Sequence, residues 1–320
     1  MCYNKEKPQG GEGGERMYDW QKNGMPYNNL SGYLRDRYGR RLTKICLDGG
    51  FTCPNRDGRC GTGGCIYCGG RGAGEHIDPV GSISEQMERG ISGAREGSEF
   101  IAYFQNFTGT YAPVSNLRSK YDAATADPRV KILAVGTRPD CIDREVCLLL
   151  ASYLSRCDVW VELGLQTASD ETAATINRGY KTEVFLRAAA LLHEHGIPFV
   201  THLMIGLPGE GEEDVLRTVA FVNSVRPFGV KLHSVYVMAD TVLAEMYHRG
   251  EYTPLDRADY VRIASHALAA LDPEIVVHRI TGDCPRDLLV APDWNTDKRG
   301  VIDDIGRYMR DHGIRQGSGI

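Results

Sequence analysis

The sequence predicts an α/β fold: a partial (β/α)6 TIM-like barrel followed by a C-terminal α/β extension. Two observations carry that prediction. Between residues 44 and 237, short apolar segments alternate with helical patterns, which is the rhythm of parallel βα units. The polar and glycine-rich motifs fall at the ends of those apolar segments, and parallel sheets bind ligands beyond the carboxyl ends of their strands. Six units are too few for a closed eight-fold barrel, which takes about 250 residues, and suit an open one.

The elements follow in order. Residues 1–26, with Gly10-Gly-Glu-Gly-Gly14, read as a flexible leader. Residues 44–47 form a short strand that ends at Asp48. The loop 48–75 follows, and a loop of that length inside a domain is usually functional. Ser82 and Glu85 make a capping box that opens a helix running to residue 95. Strands are expected at 100–104, 132–135, 159–165, 199–205 and 230–237. Helices are expected at 143–154, from 169, and at 182–195 and 212–225. The core is thus expected at 27–253. From residue 254 the pattern changes to a helix at 256–271, a strand at 276–280 and a last helix at 300–312. Residues 254–320 are read as an extension packed on the barrel.

Of the 320 residues 42% are apolar and 25% charged, as in ordinary globular chains. No run approaches the roughly 18 apolar residues of a membrane span. The net charge of −5 argues against a broadly basic surface coating DNA or RNA. A local basic run, Arg35, Arg37, Arg40, Arg41 and Lys44, precedes the long loop and is read as crowding its approach; a solvated face is the competing reading. Cys141, Cys147 and Cys157 sit in apolar helical patterns like small buried hydrophobes, which argues against an extracellular disulfide framework. The chain is expected in the cytoplasm, with neither membrane nor DNA as a partner.

The long loop carries the chemistry. Cys53, Cys65 and Cys68 offer three soft ligands, the last two as a Cys-x-x-Cys pair around Tyr67. A four-iron cluster that only carries electrons is usually held by four cysteines, so three leave one iron for a cofactor or substrate. Structural zinc is the rival, with Cys46 or Cys60 completing the set, although zinc ribbons usually use two close pairs.

Polar groups at other strand ends are candidates for a small ligand. Glu162 and Gln166 stand on an otherwise apolar strand, where unpaired burial would be costly. Arg178 lies in a turn and suits a bidentate grip on a carboxylate, with an exposed ion pair as the plain alternative. Gly206 and Leu207 open a Gly/Pro turn where backbone can approach a flat ring. Gln105 and Asn106 end the second strand. His233 and His202 lie on strands that line the barrel, whereas His193 and His195 lie near a helix end. Trp294 and Lys298 are possible substrate contacts in the extension, with packing as the competing role.

Taken together, the segment Gly50-Phe-Thr-Cys-Pro-Asn-Arg-Asp-Gly58, the Cys65/Cys68 pair, Gly136-Thr-Arg-Pro-Asp140, Glu162-x-Gly-x-Gln166, Asn177-Arg-Gly179, Gly206-Leu-Pro-Gly-Glu210, Lys231-Leu-His233 and Pro292-x-Trp294 resemble the radical S-adenosylmethionine (SAM) superfamily. The nearest match is the YhcC/YtqA-like family, related to the catalytic subunit of Elongator and to oxygen-independent coproporphyrinogen oxidase. The resemblance covers residues 27–315. It implies a 4Fe-4S cluster on Cys53, Cys65 and Cys68, with SAM chelating the open iron. One electron, from a donor such as flavodoxin or ferredoxin, then cleaves SAM to a 5′-deoxyadenosyl radical that abstracts hydrogen. Gln105, Asn106, Glu162, Gln166, Arg178, Gly206 and Leu207 become candidate SAM contacts. The common superfamily spacing is Cys-x3-Cys-x2-Cys. Here eleven residues separate Cys53 from Cys65, and Cys60 offers a rival first ligand. The related proteins suggest modification of the wobble uridine of transfer RNA; a small metabolite or peptide substrate, and a zinc-stabilised module without catalysis, are the alternatives.

Overall fold

The computed structural model describes residues 19–22, 24–72, 74–75, 77 and 80–319. Most of the expected leader lies outside them. At its described end Trp20, in a short helix α1 (Asp19–Lys22), is buried, and its indole N–H donates to Pro273 O at 3.2 Å.

A helix α2 (Leu30–Tyr38) leads into strand β1 (Thr43–Leu47), after which the cysteine loop runs to α3 (Ile83–Ser92). Ser82 Oγ accepts from Glu85 N while Glu85 returns to Ser82 N, the expected capping box. Then come β2 (Phe100–Phe104), α4 (Val114–Ala124), β3 (Val130–Thr137), α5 (Arg144–Ala151), β4 (Asp158–Gln166), α6 (Asp170–Thr175), α7 (Thr182–Glu194), β5 (Phe199–Ile205), α8 (Glu212–Val225) and β6 (Gly229–Ser234). The chain closes with β7 (Val237–Met238), α9 (Val242–His248), α10 (Arg257–Ala270), β8 (Val276–Arg279), β9 (Leu289–Ala291) and α11 (Lys298–Asp311).

Strands β1 to β6 pair in sequence order, all parallel, and β8 adds a seventh parallel strand beside β6. The strand expected in the extension therefore belongs to the barrel sheet. The sixth apolar segment also divides: β6 ends at Ser234, and β7 pairs antiparallel with β9 instead. The division has a packing cause, because Val235 and Val237 leave the barrel core and join Ile66, Leu207 and Leu243 in a separate apolar cluster around the cysteine loop.

Alternation along each strand separates two cores. Phe100, Ala102 and Phe104 face the outer helices, whereas Ile101 and Tyr103 face the barrel interior. Helix α2 closes the amino-terminal end of that interior. Leu34 packs with Ile101, Ile132 and Trp160, and Tyr33 sets its ring edge-on to Phe228 at 5.0 Å.

The basic run does not lie at the approach to the cysteine loop. Arg37 grips Asp158, the first residue of β4, at 2.6 and 2.7 Å, and Arg40 donates to Gly97 O, ahead of β2, at 3.0 Å. Strand β1 then carries the chain about 16 Å to the opposite end before the first cysteine. Nearness in sequence here becomes separation along the barrel axis.

Because Leu34 is 5% exposed and plugs the barrel, Leu34→Ala should cost about 2–4 kcal/mol, read as a lower urea midpoint at unchanged slope.

Candidate active site

A cavity of about 260 Å³ opens among the carboxyl ends of the strands. Cys53, Cys65, Tyr67 and Cys68 line one end, and Tyr103, Glu162, His202 and His233 line the other.

The cysteine loop is held by hydrogen bonds to the turn after α6. Asn55 is fully buried and donates through Nδ2 to Asn177 O at 2.6 Å. Asn177 returns the contact to Gly64 O at 2.7 Å, and Ile66 N donates to Ile176 O at 3.1 Å. Close approach demands glycine on both sides: a Cβ on Gly179 would stand 2.7 Å from Asn55 Oδ1, and one on Gly61 2.4 Å. Arg56 stitches the loop internally, donating to Cys68 O at 3.0 Å and Gly69 O at 2.6 Å.

Cys53, Cys65 and Cys68 carry free thiols and line the same cavity. The Cys65 thiol is brought down to about 7, first by its hydrogen bond with Cys68, with Tyr67, Arg138 and Asn55 assisting against burial. Cys68, sharing that hydrogen bond, is pushed up. Cys65 and Cys68 touch, and Cys53 lines the same cavity without closing a three-ligand metal group with them; three soft donors on one cavity are the donor chemistry of an iron–sulfur cluster with one site left open. Cys60 is exposed, lies 3.6 Å from Asp140 Oδ2 and does not line the cavity; neither does Cys46. Among the described residues, the four-sulfur set that structural zinc would need is not brought together.

At the far end a charged group sits deep in the barrel. Glu162 Oε2 accepts from Tyr103 OH at 2.6 Å and from His202 Nε2 at 3.0 Å, and it pairs closely with Lys231. Burial pushes the Glu162 carboxyl up, but Lys231 and His202 more than reverse this and hold it well below the usual range. Burial pulls Lys231 down to about 7 against the attraction of Glu162, with Lys44 and Arg279 adding to the fall. Burial also lowers His202 and His233, leaving neutral imidazoles at neutral pH.

The expected contacts divide. Gln105, Glu162, Gln166, Arg178 and His233 line the cavity. Gln166 does so from a left-handed backbone, φ 62°, where β4 ends. Arg178, 1% exposed, is not free to grip a carboxylate with its whole fork. It donates to Thr167 O at 2.7 Å and Tyr180 O at 3.0 Å, and also to Leu165 O. Five others lie off the cavity. Asn106 is buried and donates to Asp48 Oδ2 at 2.7 Å. Gly206, at φ +96°, faces Leu255, and Leu207 packs in the cluster around the loop. Trp294 donates to Leu255 O at 3.1 Å and packs on Tyr260, while Lys298 pairs with Asp283. Sequence reasoning missed Arg279 and Asp283, which also line the cavity. The available signal was an arginine at the end of the short apolar segment 276–280.

An open parallel barrel with three thiols at its mouth and a polar chamber beneath is the architecture of radical SAM enzymes. The family model for the radical SAM superfamily matches residues 56–222, and that for the Radical_SAM C-terminal domain matches 227–311. The chain belongs to the radical SAM superfamily, whose members are enzymes that use a 4Fe-4S cluster, SAM and a reductant. The first match opens just after Cys53, so the case for Cys53 over Cys60 rests on the cavity. Protein YhcC of Escherichia coli K12 is 36% identical over 294 residues, 92% of this chain and 95% of that protein. The tRNA uridine(34) acetyltransferase of Methanocaldococcus jannaschii is 31% identical over 195 residues, 60% of this chain but only 35% of that protein. The solved structure of Methanocaldococcus infernus Elp3 superposes with a TM-score of 0.64 at 19% identity, covering 86% of this chain and 64% of that one. That likeness speaks for the fold. Among the described residues no helix is long and apolar enough to cross a membrane.

Removing the carboxylate alone strips the buried Lys231 of the partner that keeps it charged, so the amine must stay unpaired or give up its proton. Glu162→Gln should therefore cost about 3–5 kcal/mol in urea unfolding, and Glu162→Gln with Lys231→Met should recover part of it. Glu162 has a depressed folded value, so its contribution is full above the reference 4.5 and fades as pH falls through the folded value. The single variant should accordingly lose less stability than the parent below that pH.

Proposed function

We propose that this enzyme uses radical SAM chemistry to abstract hydrogen from a uridine of transfer RNA, at the wobble position. The observation that carries the substrate is the 31% identity to a protein named for its action on tRNA uridine 34. The match spans 35% of that protein, so acetyl transfer is not carried over. Analogy supplies the substrate; the site supplies the reaction class.

When bound, the cluster supplies the electron that splits SAM into methionine and a 5′-deoxyadenosyl radical. Cys53, Cys65 and Cys68 would hold it. Asn55, Arg56 and Asn177 fix the loop that presents those sulfurs. Gln105 and Gln166 line the chamber as candidate hydrogen-bonding groups toward SAM, and Tyr67, Phe107, Met204 and Met238 give it water-excluding walls. A small acidic protein such as flavodoxin or ferredoxin is the expected reductant.

One observation favours a second substrate class. With the basic run at the far end of the barrel, the mouth has lost the RNA-attracting feature expected from sequence, and a small metabolite fits such a chamber. Transfer RNA binding that weakens steeply between low and moderate salt favours RNA; salt-independent or absent binding favours the metabolite.

Anaerobically purified protein should be brown, with iron and sulfide near four each per cluster, and should form 5′-deoxyadenosine from SAM and dithionite. Cys53→Ala, Cys65→Ala and Cys68→Ala should each abolish that product. Cys60→Ala should retain most of it, and loss of product there would overturn the ligand assignment. Digested transfer RNA from a deletion strain, profiled by mass spectrometry, should show a missing or accumulated uridine derivative; an unchanged profile would sink the RNA substrate.

A further inference from the structure

Among the described residues four arginines line the cavity, and three of them are committed. Arg56 and Arg178 are spent on backbone carbonyls. Arg138 grips Asp140 at 2.9 and 2.8 Å and donates to Arg178 O at 2.9 Å. Arg279 makes no hydrogen bond. Its nearest acid, Asp283, is 3.8 Å away and is already engaged by Lys298.

A second uncommitted group stands beside it. Arg279 is the register partner of Lys231, and His233 is the next residue of β6 on the same face. His233 Nε2 is fully enclosed and has no hydrogen-bond partner among the described residues. An enclosed polar atom without a partner is costly in a finished site, and a ligand is one way to satisfy it.

The charges indicate what the ligand carries. Glu162 cancels Lys231, and Asp283 cancels Lys298, while both histidines are neutral. Among the arginines that line the cavity, Arg279 is thus the guanidinium left without a hydrogen-bonded partner. Helix α2 closes the barrel below, so whatever reaches this floor must be the end of a group. A phosphodiester has two arms and cannot terminate there, whereas the paired donors of one guanidinium match the two oxygens of a carboxylate.

We propose that Arg279 and His233 form a subsite that takes a terminal carboxylate of the substrate. The guanidinium offers paired donors and the imidazole a further N–H. The inference rests on reading this cavity as the chamber where substrate meets cofactor.

Phenylglyoxal attacks uncommitted guanidinium groups, and the committed arginines serve as internal controls. In the anaerobic, cluster-loaded protein without SAM, peptide mass spectrometry should find Arg279 modified about tenfold faster than Arg138 or Arg178. Acetate should slow that modification about fivefold, with neutral acetamide and inorganic phosphate at equal ionic strength doing far less. His233→Gln should weaken the protection by acetate by about threefold. Equal reactivity of the three arginines would overturn the subsite, as would equal protection by acetamide or phosphate, or unchanged protection in the His233 variant. Protection by SAM alone as strong as that by acetate would assign the site to the cofactor and sink the proposal. None of these measurements involves RNA, so an unchanged transfer RNA profile and a failure here are separate results.

Discussion

A carboxylate buried at the centre of a barrel dictates much of what surrounds it. Glu162 is 2% exposed, and an isolated charge there would be prohibitive. Its neighbours are therefore those that can neutralise or hydrogen-bond it: Lys231 from β6, His202 from β5 and Tyr103 from β2. Four strands, β2, β4, β5 and β6, are thus tied through one oxygen. The sheet is an open one, and a polar tie across its concave face substitutes for some of the closure that a full ring of strands would give. Glu162 still lines the cavity, with Oε2 taken up by these three partners.

The cysteine loop presents the opposite problem. It is long, rich in glycine and carries little apolar surface of its own, so burial alone cannot fix it. The Asn55 side chain donates to Asn177 O and the Asn177 side chain to Gly64 O, and these bonds substitute for missing secondary structure. Asn55 reaches its partner because Gly61 and Gly179 leave room beside its amide. The glycine after Arg178 is thereby a spacing requirement of the loop, and the Asn-Arg-Gly segment serves the cluster site through the backbone. Arg178 contributes in the same sense, tying the end of β4 to the turn that clamps the loop.

What could be read from sequence follows from the range of the interaction concerned. The parallel βα rhythm, the capping box at Ser82 and the three cysteines are local patterns, and the corresponding features stand where those patterns put them. Long-range pairing was not legible. Nothing in residues 276–280 states that they join β6, because a short apolar segment pairs equally well in an extension or in a barrel edge. Arg35 to Lys44 read as adjacent to the cysteines because sequence distance ignores the direction of β1. The place of Arg279 in the cavity depends on the same pairing: an arginine at the end of the short apolar segment could be noticed, but not that it would stand beside Lys231 of β6.

The molecule is therefore graded along its axis, and the gradient is chemical. Apolar side chains from α2 and the strand beginnings exclude water at the closed end, which lowers the local dielectric and strengthens the ion pair just above them. That same low dielectric would penalise any uncompensated charge brought to the floor, so the floor can admit only what its own spare charge balances. Above it the walls turn to Met204, Met238 and Phe107, which offer contact without hydrogen-bonding competition. At the mouth the donors are sulfur. A reactive centre held there would face a chamber whose walls mix these apolar side chains with hydrogen-bonding groups such as Gln105 and Gln166. A substrate anchored by one polar end at the floor would then present its opposite end to the mouth, and the groups along the walls would decide which of its bonds lies there.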